Sequence, residues 1–181
     1  MDLIKTQIDG CFELQPFIFD DARGRFVKIF NEAEFKKNGL ETIFKEQYYS
    51  VSKKNVVRGM HFQKPPFDHV KLVCCLQGSV FDAVIDLRVG SPTYGKSITF
   101  ELAADKANSI YIPKGMAHGF CTLSDEAILM YNVSTVYSSE CDSGLLWNSG
   151  DIKWPISDPL LSARDQQFSS LEEFDSPFNY E

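Results

Sequence analysis

Residues 72–76 are uniformly apolar, Gln77-Gly78 follows, and a second mostly apolar run occupies 79–87. Two apolar runs separated by two residues, the second a glycine, read as two strands joined by a turn. The rhythm persists along the chain. Residues 11–14, 17–19, 25–30, 44–52, 57–63, 96–102, 109–112, 117–123 and 126–135 read as strands. Between them stand turn-forming clusters at 20–24, 53–55, 90–95 and 113–115, rich in Gly, Pro, Asn and Asp. Strands this short and this regularly interrupted predict an all-β sandwich or barrel.

One helix is expected, over 31–39. Asn31 is a capping residue, Glu32 and Glu34 suit the first turn, Lys36 and Lys37 the last, and Gly39 ends it. The segment 169–174, with Ser170 three residues before Glu173, has the pattern of a capping box and suggests a second, very short helix. No repeat or linker interrupts the chain, so its 181 residues, 44% of them hydrophobic, are expected to form a single domain, 1–181.

A net charge of −7 argues against a general nucleic-acid binder, so any anionic ligand must be held by a local basic cluster. No apolar run approaches the ~18 residues of a membrane span, and residues 1–6 lack the layout of a signal peptide. Five cysteines, Cys11, Cys74, Cys75, Cys121 and Cys141, form no C-x-x-C pair. They read as reduced thiols of a cytoplasmic protein.

The stretch 57–63 concentrates the chemistry. In an extended strand Val57, Gly59, His61 and Gln63 share a face. Pro65-Pro66 ends that strand, and Lys71 opens the next. An imidazole, an arginine (Arg58) and a lysine on adjacent strands suit an anionic substrate and a proton transfer. His118 lies in a P-x-G-x-x-H pattern starting at Pro113, which resembles the second cupin motif. The first motif would need His-x-His and a downstream Glu as metal ligands, but here the place reads His61-Phe62-Gln63. The expectation is a cupin without a metal.

Taken together, residues 57–63, 71–73, 86–88, 90–95, 112–120, 145–148, 154–155 and 161–165 resemble the dTDP-4-dehydrorhamnose 3,5-epimerase family, in order and over nearly the whole chain. The resemblance implies a cupin-type jelly roll, a homodimer, no metal or organic cofactor, and a nucleotide-diphosphate-linked 4-keto sugar as substrate. It implies His61 as the base, Asp165 as the carboxylate orienting it, Lys71 as the cation holding the enolate, and Tyr131 as the acid. Imidazole suits a base, because its ordinary pKa of about 6.5 leaves it largely neutral near pH 7. A phenol, ordinarily near 10, keeps its proton there. The resemblance further implies substrate contacts from Arg23, Arg58, Lys71 and His118 near sugar and diphosphate, and from Phe26 and Tyr137 stacked on the base. Gln47, Tyr48, Asp142 and Arg164 match further contact positions.

Two departures stand out. Lys28 occupies a place where the family usually has a Glu facing the nucleobase; an ammonium can only donate, which suits the acceptor edge of cytosine or guanine. Glu46 and Tyr48 occupy places where the family has a Gln and an Asn, so the sugar pocket is reshaped and a single-site epimerase competes with a double one. Beside these stand a 3,4-ketoisomerase of the same fold, a metal-dependent cupin using His61, His69 and His118, and a non-catalytic sugar-nucleotide binding module. His69 itself reads as a loop residue.

Overall fold

The computed structural model describes residues 1–180. The strands are β1 Asp2–Lys5, β2 Phe12–Gln15, β3 Phe17–Asp21, β4 Gly24–Lys28, β5 Glu46–Lys53, β6 Val57–Gln63 and β7 Lys71–Gln77. They continue with β8 Ser79–Asp86, β9 Ser97–Ala103, β10 Ser109–Ile112, β11 Met116–Thr122, β12 Glu126–Val133 and β13 Asp142–Gly144. One helix, α1 (Glu32–Lys37), lies between β4 and β5, and a 3-10 turn covers Asp165–Gln167.

Two antiparallel sheets face each other, in the order β1-β2-β10-β7-β12-β5 and β13-β6-β11-β8-β9. This is the all-β, cupin-type jelly-roll sandwich expected from the strand rhythm. Between the sheets lies the main core, with Val73, Leu129, Ile110, Val84, Leu102 and Phe120 all nearly inaccessible. A third, two-stranded sheet, β3-β4, stands apart as a hairpin.

β7 is apolar without alternation because both of its faces are covered. Val73 enters the main core, whereas Leu72 packs with Phe35 of α1 on the outer side of the sheet. α1 follows its expected signals. Asn31 Oδ1 accepts from the Glu34 backbone N–H, acids occupy the first turn and lysines the last.

The C-terminal third packs across the outer face of the second sheet, where Leu145, Phe178, Trp154 and Phe174 join Met60, Phe62, Ile85 and Leu87. The expected helix at 169–174 does not form. Its capping-box bonds do: Ser170 Oγ and N donate to Glu173 Oε2 at 3.0 and 3.2 Å, and Glu173 N donates to Ser170 Oγ. The box closes a turn instead, with Phe174 N donating to Leu171 O at 3.4 Å. Among the described residues no helix is long and apolar enough to cross a membrane.

Candidate active site

β6 has β11 on one edge; its other edge pairs with β13 over 61–63 and takes partners from the tail before that. Val57 N donates to Leu160 O (3.0 Å), Gly59 N to Asp165 Oδ2 (3.3 Å), and Met60 N to Leu145 O (3.1 Å). The carboxylate of Asp165 thus takes the place of a strand partner. Its other oxygen lies 2.9 Å from His61 Nε2. Burial pushes the Asp165 carboxyl up, but the hydrogen bond and charge of His61, the Gly59 N–H and Ser162 Oγ–H outweigh it and hold the group below the ordinary carboxylate value. An ionised carboxylate only accepts, so Nε2 carries the hydrogen and Nδ1 is left as the basic nitrogen. Gly59 makes the close approach to β11 workable. Its φ is +146°, and a Cβ there would lie 2.6 Å from Gly119 Cα.

His61 lines a cleft of about 380 Å³. Glu46, Tyr48, Lys71 and Val133 come from the six-stranded sheet, His61, Gln63 and Asp142 from the facing one, and His69, Thr135, Tyr137 and Arg164 from connecting segments. Lys71 is buried and donates to the His61 carbonyl at 3.1 Å. Burial lowers its ammonium to about 8, against the opposing pull of Asp142 and then Asp82. Asp142 is held on the rim by Arg164 at 2.7 Å and by the Tyr137 hydroxyl at 3.3 Å. Arg164 also lies over the Phe168 ring, which stands edge-on to His61.

Gln63 shares a strand face with His61, and its buried amide spends every atom on the cleft wall. Oε1 accepts from Ser138 N at 2.7 Å. Nε2 reaches Phe67 O (2.8 Å), Val136 O (3.2 Å) and His69 Nδ1 (3.2 Å). It thereby joins the 64–69 and 135–141 segments. Burial lowers the His69 imidazole to about 3, so that ring is neutral. Glu46 is expected at the sugar pocket from the resemblance, whereas nothing in the sequence places His69 or Thr135 on the cleft wall. The period-two spacing from His61 points to Gln63.

Four further expected residues, Tyr131, His118, Arg58 and Gln47, do not line this cleft. Tyr131 is 8% exposed and stacks on Tyr48, with centroids 4.9 Å apart and planes 17° from parallel. Burial pushes its phenol far above the ordinary value. His118 is buried edge-on to Tyr131, with Nε2 at 2.8 and 3.0 Å from the two carboxylate oxygens of Asp82. Burial disfavours charge on both, raising Asp82 and lowering His118. Arg58 is turned to β5, donating to Ser52 Oγ at 2.9 Å and to Val51 O. Gln47 faces away from Tyr48 and donates to Asn132.

Arg23, Phe26 and Lys28 stand on the β3-β4 hairpin and line none of this cleft. Arg23 pairs with Asp21, and Phe26 is exposed beside Phe19, its partner in the hairpin register. His61 and His118 are cross-strand partners, yet each is engaged by its own carboxylate. Among the described residues no three His, Cys, Asp or Glu side chains converge, so the trio His61, His69 and His118 is not assembled as a ligand set.

Comparison with known proteins points the same way. The family model described as dTDP-4-dehydrorhamnose 3,5-epimerase matches residues 5–173. A dTDP-4-dehydrorhamnose 3,5-epimerase from Shigella flexneri is 41% identical over 180 residues, covering 96% of this chain and 99% of that one. A dTDP-4-dehydrorhamnose 3-epimerase from Streptomyces niveus is 40% identical, covering 96% and 85%. The crystal structure of dTDP-6-deoxy-D-glucose-3,5-epimerase from Legionella pneumophila Philadelphia 1, in complex with dTDP-4-keto-L-rhamnose, superposes with a TM-score of 0.94 at 33% identity, covering 99% and 98%.

Proposed function

Because this chain belongs to the dTDP-4-dehydrorhamnose 3,5-epimerase family, we propose that it inverts carbons flanking the carbonyl of a dTDP-linked 4-keto-6-deoxy sugar, with its own side chains moving the protons. The observation that carries this reading is the His61–Asp165 pair, 2.9 Å apart, opening onto a cleft that also contains Lys71. His61 Nδ1 takes the carbon-bound proton, and the electron pair moves toward the keto oxygen. Lys71 holds the resulting enolate, and Asp165 stabilises the imidazolium. Inversion then needs a proton from the opposite side. The phenol of Tyr131 is on the facing sheet and is the acid of this mechanism.

Arg164, Tyr137 and Asp142 form the rim where a diphosphate and base would emerge. Arg23, Phe26 and Lys28 cannot reach the cleft of their own protomer, whereas their hairpin exposes Phe17, Phe19 and Phe26. We infer a homodimer in which the hairpin of one copy enters the cleft of its partner and supplies those three contacts. The dTDP-linked ligand named for the Legionella pneumophila enzyme supports thymidine over cytidine or guanosine here, and competition binding of dTDP, CDP and GDP compares the three directly.

The test is product NMR in deuterated water with a dTDP-linked 4-keto-6-deoxyhexose. His61→Ala is expected to abolish deuterium exchange while keeping dTDP binding. Tyr131→Phe is expected to allow exchange while impairing inversion. Normal exchange by His61→Ala removes the assignment of the base, and normal turnover by Tyr131→Phe removes that of the acid.

A further inference from the structure

Tyr48 occupies a place that the epimerase mechanism leaves without a role. It is the cross-strand partner of Tyr131, on the sheet facing His61. The two rings lie nearly parallel with centroids 4.9 Å apart. Their surroundings differ. Tyr131 is 8% exposed and its phenol faces Ser50, whereas Tyr48 is 45% exposed and forms part of the cleft wall with His61 and Lys71. The other phenol on that wall, Tyr137, has given its hydrogen to Asp142. The Tyr48 hydroxyl has no such partner among the described residues.

We propose that Tyr48 is a second proton donor of this site, returning hydrogen to the sugar carbon that Tyr131 does not serve. The inference rests on the epimerase reading. A 4-keto sugar has two acidified carbons, one on each side of the carbonyl. With the keto oxygen held at Lys71, those carbons meet the opposite wall at different points, and two stacked phenols offer a donor at each. In the step itself, His61 removes the carbon-bound proton and the electron pair becomes the enolate. The enolate carbon then takes the hydroxyl hydrogen of Tyr48 from the other face, the C=O bond re-forms, and Tyr48 is left as a phenolate. Water reprotonates the phenolate through its exposed side, and the His61 imidazolium returns its proton to solvent. Burial, with the nearby charges of Glu46 and Asp142, pushes the Tyr48 phenol up to about 12, so it holds its hydrogen until an enolate takes it.

The test follows each carbon separately, by NMR in deuterated water, for the wild-type enzyme, Tyr48→Phe and Tyr131→Phe. Tyr48→Phe is expected to exchange solvent deuterium at both carbons but to invert one of them about tenfold or more slowly. Tyr131→Phe is expected to show the complementary loss. Retained exchange certifies that the variant is folded and that His61 is working. The proposal is overturned if Tyr48→Phe inverts both carbons at the wild-type rate, or loses exchange together with inversion. It is overturned equally if both variants lose the same carbon, or if the wild-type enzyme inverts only one. A wild-type enzyme that neither exchanges nor inverts removes the epimerase reading itself, and this inference with it.

Discussion

Asp165 Oδ1 meets His61 Nε2 at 2.9 Å across 104 residues of chain, while Asp165 Oδ2 accepts from the backbone N–H of Gly59. One carboxylate therefore both completes the edge of β6 and sets the tautomer of the imidazole that β6 carries. Asp165→Asn keeps the size of the side chain but can present either an oxygen or an NH₂ to Nε2. We expect deuterium exchange to slow by about 10²-fold or more with KM nearly unchanged. The net lowering of the Asp165 carboxyl has a stability consequence. Its contribution is present above the unfolded carboxylate range and is lost as pH falls through the lowered folded value. The stability of Asp165→Asn, measured by circular dichroism, should depend less on pH in that interval.

Lys71 links the cleft to alkaline pH. In the proposed mechanism its ammonium must be charged to hold an enolate, and burial has lowered it to about 8. Exchange should fall as pH rises through about 8. Asp142 is the carboxylate that pulls Lys71 back up most strongly, so Asp142→Asn should move this limb to lower pH. Lys71→Met should abolish the limb and slow exchange by about 10²-fold or more. For stability the sign is opposite. The folded state binds fewer protons here than the unfolded state, so this group favours folding increasingly as pH rises from about 8 toward the unfolded lysine value of about 10.4.

Gln63 is expected to set KM more than kcat. In Gln63→Glu the acceptor for Ser138 N survives, but the amide hydrogens that met Phe67 O and Val136 O are replaced by a carboxylate oxygen facing two carbonyls. The 135–141 segment should loosen, and Tyr137 with it. KM is predicted to rise about tenfold with a smaller change in kcat, and calorimetry with dTDP should show the same weakening. An unchanged KM would mean that the two segments hold their places without the amide.

Gly59→Ala should damage the fold rather than the chemistry. The new Cβ would sit 2.6 Å from Gly119 Cα, on a backbone with φ of +146°. Its nearest neighbours are all backbone atoms of β11, so nothing can swing away. We expect a melting temperature about 5 °C or more below wild type. At Gly24, on the hairpin, a Cβ meets nothing within 4 Å, and Gly24→Ala should cost less despite its own φ of +119°.

The turn at Gln77-Gly78 and the helix capped by Asn31 depend on short-range chemistry, and both form; which strands pair does not, because that turn passes the chain from one sheet to the other, β7 lying between β10 and β12 and β8 between β11 and β9. His61 and Lys71 do share a cleft, but not as neighbours on adjacent strands, which the strand reading implied: β6 and β7 belong to opposite sheets, and the two residues meet across the sandwich. The segment 169–174 shows the limit of local signals: the capping bonds form, and a helix does not. Three relationships have no local signature. The tail folds back along β6 because its apolar residues cover the outer face of the sheet, and this delivers Asp165 to His61. The Tyr48–Tyr131 stack follows from the register of β5 against β12. The separation of Arg23, Phe26 and Lys28 from the cleft follows from a hairpin that leaves both sheets. Composition and spacing govern which bonds a residue can make with its neighbours in sequence; which distant residue arrives opposite it is set by the burial of whole faces.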